Sequence, residues 1–183
     1  MTIQADLIEI VPFNQEVRAS TLALIDTVFP DQSIAEKWAL RLHQRSGAPL
    51  LPLLGVLDPR FWIAQRGDQV LGTVGLYSTW RDRAQARWLA WFCVAPEARG
   101  QGLGPRLLTH AKEHCRAEGF GILRLYTSTD PNEATAQKLY DTAGFRRIAS
   151  RRPLLWALAG SKLELLYREA SLVDDSLRFA TGR

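Results

Sequence analysis

Apolar and polar positions change period several times along this chain, and the changes divide it into strands, helices and turns. Residues 7–11 alternate apolar with acidic side chains, the period of a half-exposed strand. Residues 15–29 and 33–45 then carry apolar positions at helical spacing, with Pro30 and Gly47 as stops and Asp31 and Ser33 as caps between them. Residues 46–60 hold Pro49, Pro52 and Pro59 among many leucines, which reads as a loop packed over apolar surface.

The middle of the chain reads as strands. Residues 61–65 and 70–79 form a pair around a tight turn at Gly67 and Asp68. A charged stretch, 81–87, makes a second turn, and 88–94 is the next strand. Beyond a glycine-rich run, Pro105 takes the first position of a helix whose apolar stripe is Leu107, Leu108, Ala111 and Cys115, ending at Gly119. Residues 122–127 are a compact strand. Asp130, Pro131 and Glu133 then set a helix start, as N-cap, first residue and capping-box acid, for a helix running to Ala143 and stopping at Gly144. Residues 145–150 and 162–168 are final strands, 151–161 fit no single period, and 171–183 read as a frayed tail.

Composition narrows the class. A chain of 183 residues, 46% hydrophobic and 23% charged, suits one globular domain. No run of about 20 uncharged apolar residues is present to span a membrane. Asp6 and Glu9 lie where a secretory leader would need a basic and then an apolar stretch, so a cytoplasmic protein is expected. The net charge of +4 comes from arginines scattered along the chain rather than clustered with aromatics, which argues against a nucleic-acid partner. Cys93 and Cys115 read as small buried hydrophobes, and His43, His110 and His114 form no metal pattern with them. The four-residue spacing of His110 and His114 reads as a surface coincidence.

The chemistry concentrates in Arg99, Gly100, Gln101, Gly102, Leu103 and Gly104, between an apolar strand and a helix. Glycines let the backbone turn tightly so that several N–H groups converge on one anion, and the helix start adds positive potential there. A nucleotide-hydrolase phosphate loop would follow its last glycine with Lys and Ser or Thr, whereas here Pro105 and Arg106 follow. A dinucleotide fold would place the motif after its first strand, and here it lies past the midpoint.

The whole stretch from Phe92 through Val94, Pro96 and Arg99 to Gly104, followed by Ala136, Leu139, Tyr140, Gly144 and Phe145, resembles the GNAT superfamily of acetyl-coenzyme A dependent N-acetyltransferases. The resemblance is strong over residues 88–145, fair over 61–79 and thin at both ends. It implies a single N-acetyltransferase domain over 1–183, an α/β fold with a mixed, mostly antiparallel sheet of six or seven strands flanked by about four helices. It also implies acetyl-CoA as cosubstrate and a small-molecule or peptide amine as acceptor; a homodimer stays open.

By position in that family, Phe92, Cys93 and Val94 pair with the pantetheine arm as an added strand. Arg99, Gly100, Gln101, Gly102, Leu103, Gly104 and Arg106 surround the diphosphate, with backbone donors at Gln101, Gly102, Gly104 and Arg106. Tyr140 matches the tyrosine that protonates the leaving thiolate; its alternative role is a core aromatic. Asn132 stands one residue before the family's usual asparagine position, which Glu133 occupies. Trp80, Trp88 and Trp91 are candidates for the acceptor pocket or simply core. No general base is identified: 88–94 has no carboxylate or histidine, and Glu97, Asp82 or a water chain remain as substitutes. A non-catalytic acyl-CoA sensor is the rival reading, motivated by that missing base.

Overall fold

The computed structural model describes residues 7–30, 51–53, 55–158 and 160–173. In chain order the elements are β1 (Glu9–Pro12), α1 (Arg18–Val28), β2 (Leu57–Arg66), β3 (Gln69–Ser78), β4 (Ala86–Val94) and α2 (Leu103–Ala117). There follow β5 (Ile122–Ser128), α3 (Ala134–Thr142), β6 (Arg146–Arg151), α4 (Leu154–Leu158) and β7 (Leu165–Ser171). The strands form one seven-stranded sheet in the order β1-β2-β3-β4-β5-β7-β6. All neighbours are antiparallel except β4 and β5, which run parallel. This is the mixed, mostly antiparallel α/β sheet that the family resemblance implies.

Helices α1 and α2 both pack on β3 and β4. The stripe Leu107, Leu108, Ala111 and Cys115 is buried against the sheet as its spacing predicts, and α1 contributes Leu24 and Ile25. Asn14 supplies the turn before α1, its side-chain oxygen accepting from the amides of Glu16 and Val17 at 2.9 and 3.2 Å. His110 and His114 are not a surface coincidence: both rings lie against Trp62 of β2, with centroids 5.3 and 4.5 Å away.

Several boundaries differ from the sequence reading. β2 begins at Leu57 and runs through Pro59, because a bulge between Leu57 and Arg60 absorbs the residue without an N–H. β4 begins at Ala86 and includes Arg87, which is 1% exposed. That burial is stabilised by Glu118, at 2.7 Å from Nε, and by Asp58, whose carboxylate and carbonyl lie 2.7 and 2.8 Å from the two Nη atoms. α2 starts at Leu103, so Pro105 is its third residue rather than its first, still within the turn where a missing N–H costs little. β7 lies three residues later than the alternation suggested. Its buried row, Leu166, Arg168 and Ala170, admits a charge because Arg168 donates to Asp141 and to the Phe145 carbonyl. Ser171 ends that strand and Leu172 is buried, its amide 2.8 Å from the Gly121 oxygen, so the tail does not begin at 171. The helix expected over 33–45 and the rest of the tail, 174–183, lie outside the described residues.

Candidate functional site

The parallel pair at the centre of the sheet is short. Ala86, Arg87 and Trp88 pair with Ile122, Leu123 and Arg124, and beyond Trp88 no pairing continues. β4 stays bound to β3 and β5 to β7, so the two strands part and a wedge opens between 89–94 and 125–128. The Ala95 amide donates to Leu71 of β3 at 2.8 Å. Strand alternation therefore turns the backbone groups of Cys93 toward β3, and those of Val94 and Phe92 into the wedge.

Within β4 the register slips by one residue: Gly75 stands opposite Ala90, but Thr73 stands opposite Cys93. Trp91 takes up the extra residue with a φ of 45°, a conformation that costs a bulky L-residue about 1–3 kcal/mol. Its ring packs edge-on against Phe61, centroids 5.9 Å apart.

At the mouth of the wedge the chain makes a 3₁₀ turn, Pro96–Ala98, and enters the glycine-rich run. Gly100 and Gly102 have φ of 74° and 75°, the left-handed region that glycine enters without a Cβ penalty. Among the described residues, none accepts from the amides of Gly100, Gln101, Gly102, Leu103 or Gly104. Five successive donors are thus left at the start of α2, where the helix dipole adds positive potential. The Arg106 amide is not among them: it closes onto the Gly102 oxygen at 3.3 Å, while the Arg106 guanidinium donates to the Ile8 oxygen at 2.9 Å. Arg99 folds back on the Val94 oxygen, and the Gln101 side chain on the Glu97 oxygen. Gly104 sits in close packing, where an added Cβ would meet Leu139 at 3.2 Å and Phe92 at 3.8 Å.

α3 brings Tyr140 to the same place. Its ring lies 6.0 Å from Phe92 and 5.8 Å from Phe145, it is 7% exposed, and its hydroxyl donates to none of the described residues. Burial, with the charge of Glu133 adding to it and Arg168 opposing, pushes the phenol well above the ordinary tyrosine range. Burial likewise pushes the Cys93 thiol up to about 11, the Thr73 hydroxyl partly offsetting it.

The turn before α3 is built differently from the expected capping box. Asp130 accepts from the Asn132 amide at 2.8 Å, as an N-cap should. Glu133 does not reach back to the Asp130 amide, which bonds Ser128 Oγ instead. Its carboxylate accepts from the Ser128 amide at 3.0 Å, from Ser128 Oγ at 2.6 Å and from the Thr127 hydroxyl, tying α3 to the end of β5. Asn132 is exposed on this turn. Of the substitute bases, Glu97 is exposed, and Asp82 is buried with its oxygens held by Arg124 at 2.7 Å and Trp88 Nε1 at 2.8 Å. Neither Asp82, six residues from Trp88 and 42 from Arg124, nor the wedge itself carried a local signal that would have shown this arrangement. No group of three or more His, Cys, Asp and Glu that could hold a metal ion occurs among the described residues, and no helix there is long and apolar enough to cross a membrane.

A sheet parted at its single parallel junction, with a helix start and a row of unpaired amides at the opening, defines a site for an extended ligand with an anionic group. The chain belongs to the acetyltransferase (GNAT) family, whose sequence description matches residues 25–145. It is 33% identical over 103 residues to N-acetyltransferase 8B of Rattus norvegicus, covering 55% of this chain and 46% of that one. The chain thus spans about half the length of the curated relatives it matches. The structure of a GNAT-family acetyltransferase from Staphylococcus aureus Mu50 is similar with a TM-score of 0.68 at 19% identity, over 91% of this chain and 100% of that one. A GNAT-family acetyltransferase from Elizabethkingia anophelis, with acetyl-CoA bound, gives 0.62 at 17% identity over 91% and 99%. At such identities the likeness is one of fold.

Proposed function

We propose that this protein is an acetyl-CoA-dependent N-acetyltransferase, a single domain that transfers the acetyl group to a primary amine by direct attack within a ternary complex. The observation that carries the reading is the wedge between β4 and β5 with five unpaired amides at its mouth. An extended amide-bearing arm ending in a diphosphate fits both parts. The Elizabethkingia relative with acetyl-CoA bound supports the choice of ligand.

Bound acetyl-CoA supplies the activated acyl group as a thioester. Phe92 and Val94 offer backbone groups to the pantetheine arm as an added strand would, with Cys93 between them, and a wedge-facing amide polarises the thioester carbonyl. The amides of residues 100–104 grip the diphosphate, Arg99 adds charge beside them, and Asn132 reaches the coenzyme from the turn before α3. Arg106, whose amide and Nη2 have internal acceptors, contributes positive charge near the helix start rather than a backbone hydrogen bond. Tyr140 donates its phenolic proton to the departing thiolate, a role that suits a hydroxyl kept protonated by burial. A buried Cys93 thiol held at about 11 is a poor nucleophile, which supports attack by the amine itself rather than through a cysteine thioester. The acceptor is a small-molecule or peptide amine, and the compartment is the cytoplasm, where Cys93 and Cys115 stay reduced.

The test is in two parts. Acetyl-CoA at 100 times its dissociation constant adds about 2.7 kcal/mol of stability, a rise in melting temperature of about 5–10 °C for a chain this size. A thiol-release screen over amino acids, polyamines, aminoglycosides and peptide N-termini then finds the acceptor. No shift with millimolar acetyl-CoA overturns the reading. The sensor alternative is favoured by one observation: Asp82 and Glu133 are both held by internal donors, leaving no free base among them. It expects the shift without thiol release from any amine.

A further inference from the structure

We infer that Thr73 is a positioning residue for acyl transfer: its hydroxyl holds the Trp91 carbonyl and so fixes the β4 bulge that sets Phe92 and Val94 toward the ligand. This rests on the acetyltransferase reading above. Thr73 is fully buried on β3, its Oγ1 2.5 Å from the Trp91 oxygen and 3.3 Å from Cys93 Sγ. Packing alone would be satisfied by valine at such a position. The hydroxyl has a specific use, because a bulge withdraws one carbonyl from the ladder and a buried carbonyl needs a donor.

What the bulge does follows from the register. Before it, partner numbers sum to 165, as in Gly75 with Ala90; after it they sum to 166, as in Thr73 with Cys93. Without the extra residue Phe92 would stand opposite Thr73, and every later side chain and amide of β4 would change sides. The Phe92 ring would leave the packing in which it meets Tyr140 at 6.0 Å and lies against Gly104. Its amide would turn from the wedge to β3. Nothing local favours the bulge, since Trp91 enters a φ of 45° without being glycine. Thr73 on one side and Phe61 on the other hold it there.

The experiment compares Thr73→Val, Thr73→Cys and Thr73→Ser in the full chain. Calorimetry reads acetyl-CoA affinity, steady-state kinetics with the acceptor found by thiol release reads kcat and KM, and thermal melts report folding. Thr73→Val and Thr73→Cys, which lack the hydroxyl, are expected to weaken acetyl-CoA binding and lower kcat/KM by about 10- to 100-fold through misplacement of the wedge amides. Thr73→Ser keeps the hydroxyl and is expected to stay within about threefold of wild type, since one hydrogen bond is retained. Thr73→Cys keeps the test open if the valine variant does not fold. Wild-type affinity and turnover in the cysteine or valine variant, or equal impairment in the serine variant, would overturn the role of the hydroxyl. Failure of wild type itself to bind acetyl-CoA would sink the acetyltransferase reading instead, so the two failures are distinguishable.

Discussion

The same two strands behave oppositely at their two ends. Where β4 and β5 meet, side chains lock the junction. Asp82 joins Arg124 at 2.7 Å and Trp88 Nε1 at 2.8 Å, Arg124 continues to Glu169 at 3.3 Å, and Glu169 to Arg146 at 2.9 Å. Beneath α2, Arg87 gathers Glu118 and Asp58. At the open end each strand is tied away from the other: Thr73 holds β4 to β3, while Glu133 and Gln137, whose Nε2 lies 2.6 Å from the Ser128 oxygen, hold β5 to α3. The hydrogen bonds of Thr73, Glu133 and Gln137 thus pull away from the wedge rather than across it. Charge closes the sheet at one end, and the two strands part at the other. The two ends should therefore answer to mutation differently, the open one in rate and the closed one in stability.

The largest effect is expected at the open end. Tyr140→Phe removes only a hydroxyl that has no partner among the described residues, so its melting temperature should stay within about 1–2 °C of wild type, the usual size for a substitution that breaks no bond. Its kcat should fall about 10²- to 10⁴-fold, the loss typical of a missing general acid. Steady-state kinetics alongside a melt checks both halves. A fall in stability with unchanged kcat would move Tyr140 to the other side of the comparison, as a core aromatic.

How far the sequence foretold these two ends also differs. The turn of the glycine loop is legible because residue type and spacing carry it, glycine where φ is positive and a helix start beyond it, whereas Tyr140 enters through the family resemblance. The wedge is legible only through the family resemblance, since unpaired backbone has no residue signature. Trp91 hides the bulge, for a glycine there would have announced it and a tryptophan does not. The locks at the closed end are invisible for another reason. Arg87 finds Asp58 and Glu118 at separations of 29 and 31 residues, and no local period predicts a contact of that range. A charge opening an apolar strand is the one available hint, and beside Arg81 and Arg83 it reads as the end of a turn. Glu133 misled in the opposite way, having the spacing of a cap but finding better donors on Ser128 and Thr127.

At the closed end, Arg87→Ala is expected to cost about 3 kcal/mol, near the lower range for breaking a buried ion pair because both carboxylates retain some solvent. For a chain of this length that is a fall in melting temperature of about 6–12 °C. Turnover measured well below the melting transition should stay close to wild type, since the ion pairs lie at the far end of β4 from the loop. A kcat loss as large as that of Tyr140→Phe would show that the two ends are not separable.

The smallest effect tests whether charge is what closes the junction. Hydrogen bonds and charge from Arg146, and with them those from Arg124, outweigh the burial of Glu169 and hold its carboxyl below the usual glutamate range. A depressed folded pKa means that the unfolded chain takes up this proton first as pH falls. The contribution of Glu169 is therefore fully present above its unfolded value, about 4.5, and is lost as pH falls through the lower folded value. Glu169→Gln should be less stable than wild type at pH 7 by about 1 kcal/mol or less, the scale of partly exposed ion pairs. Urea denaturation at descending pH should show the two proteins converging below about pH 4.5. If the gap instead stays constant down to pH 3, the side chain acts by packing rather than by charge, and the electrostatic half of the comparison must rest on Asp82 and Arg87 alone.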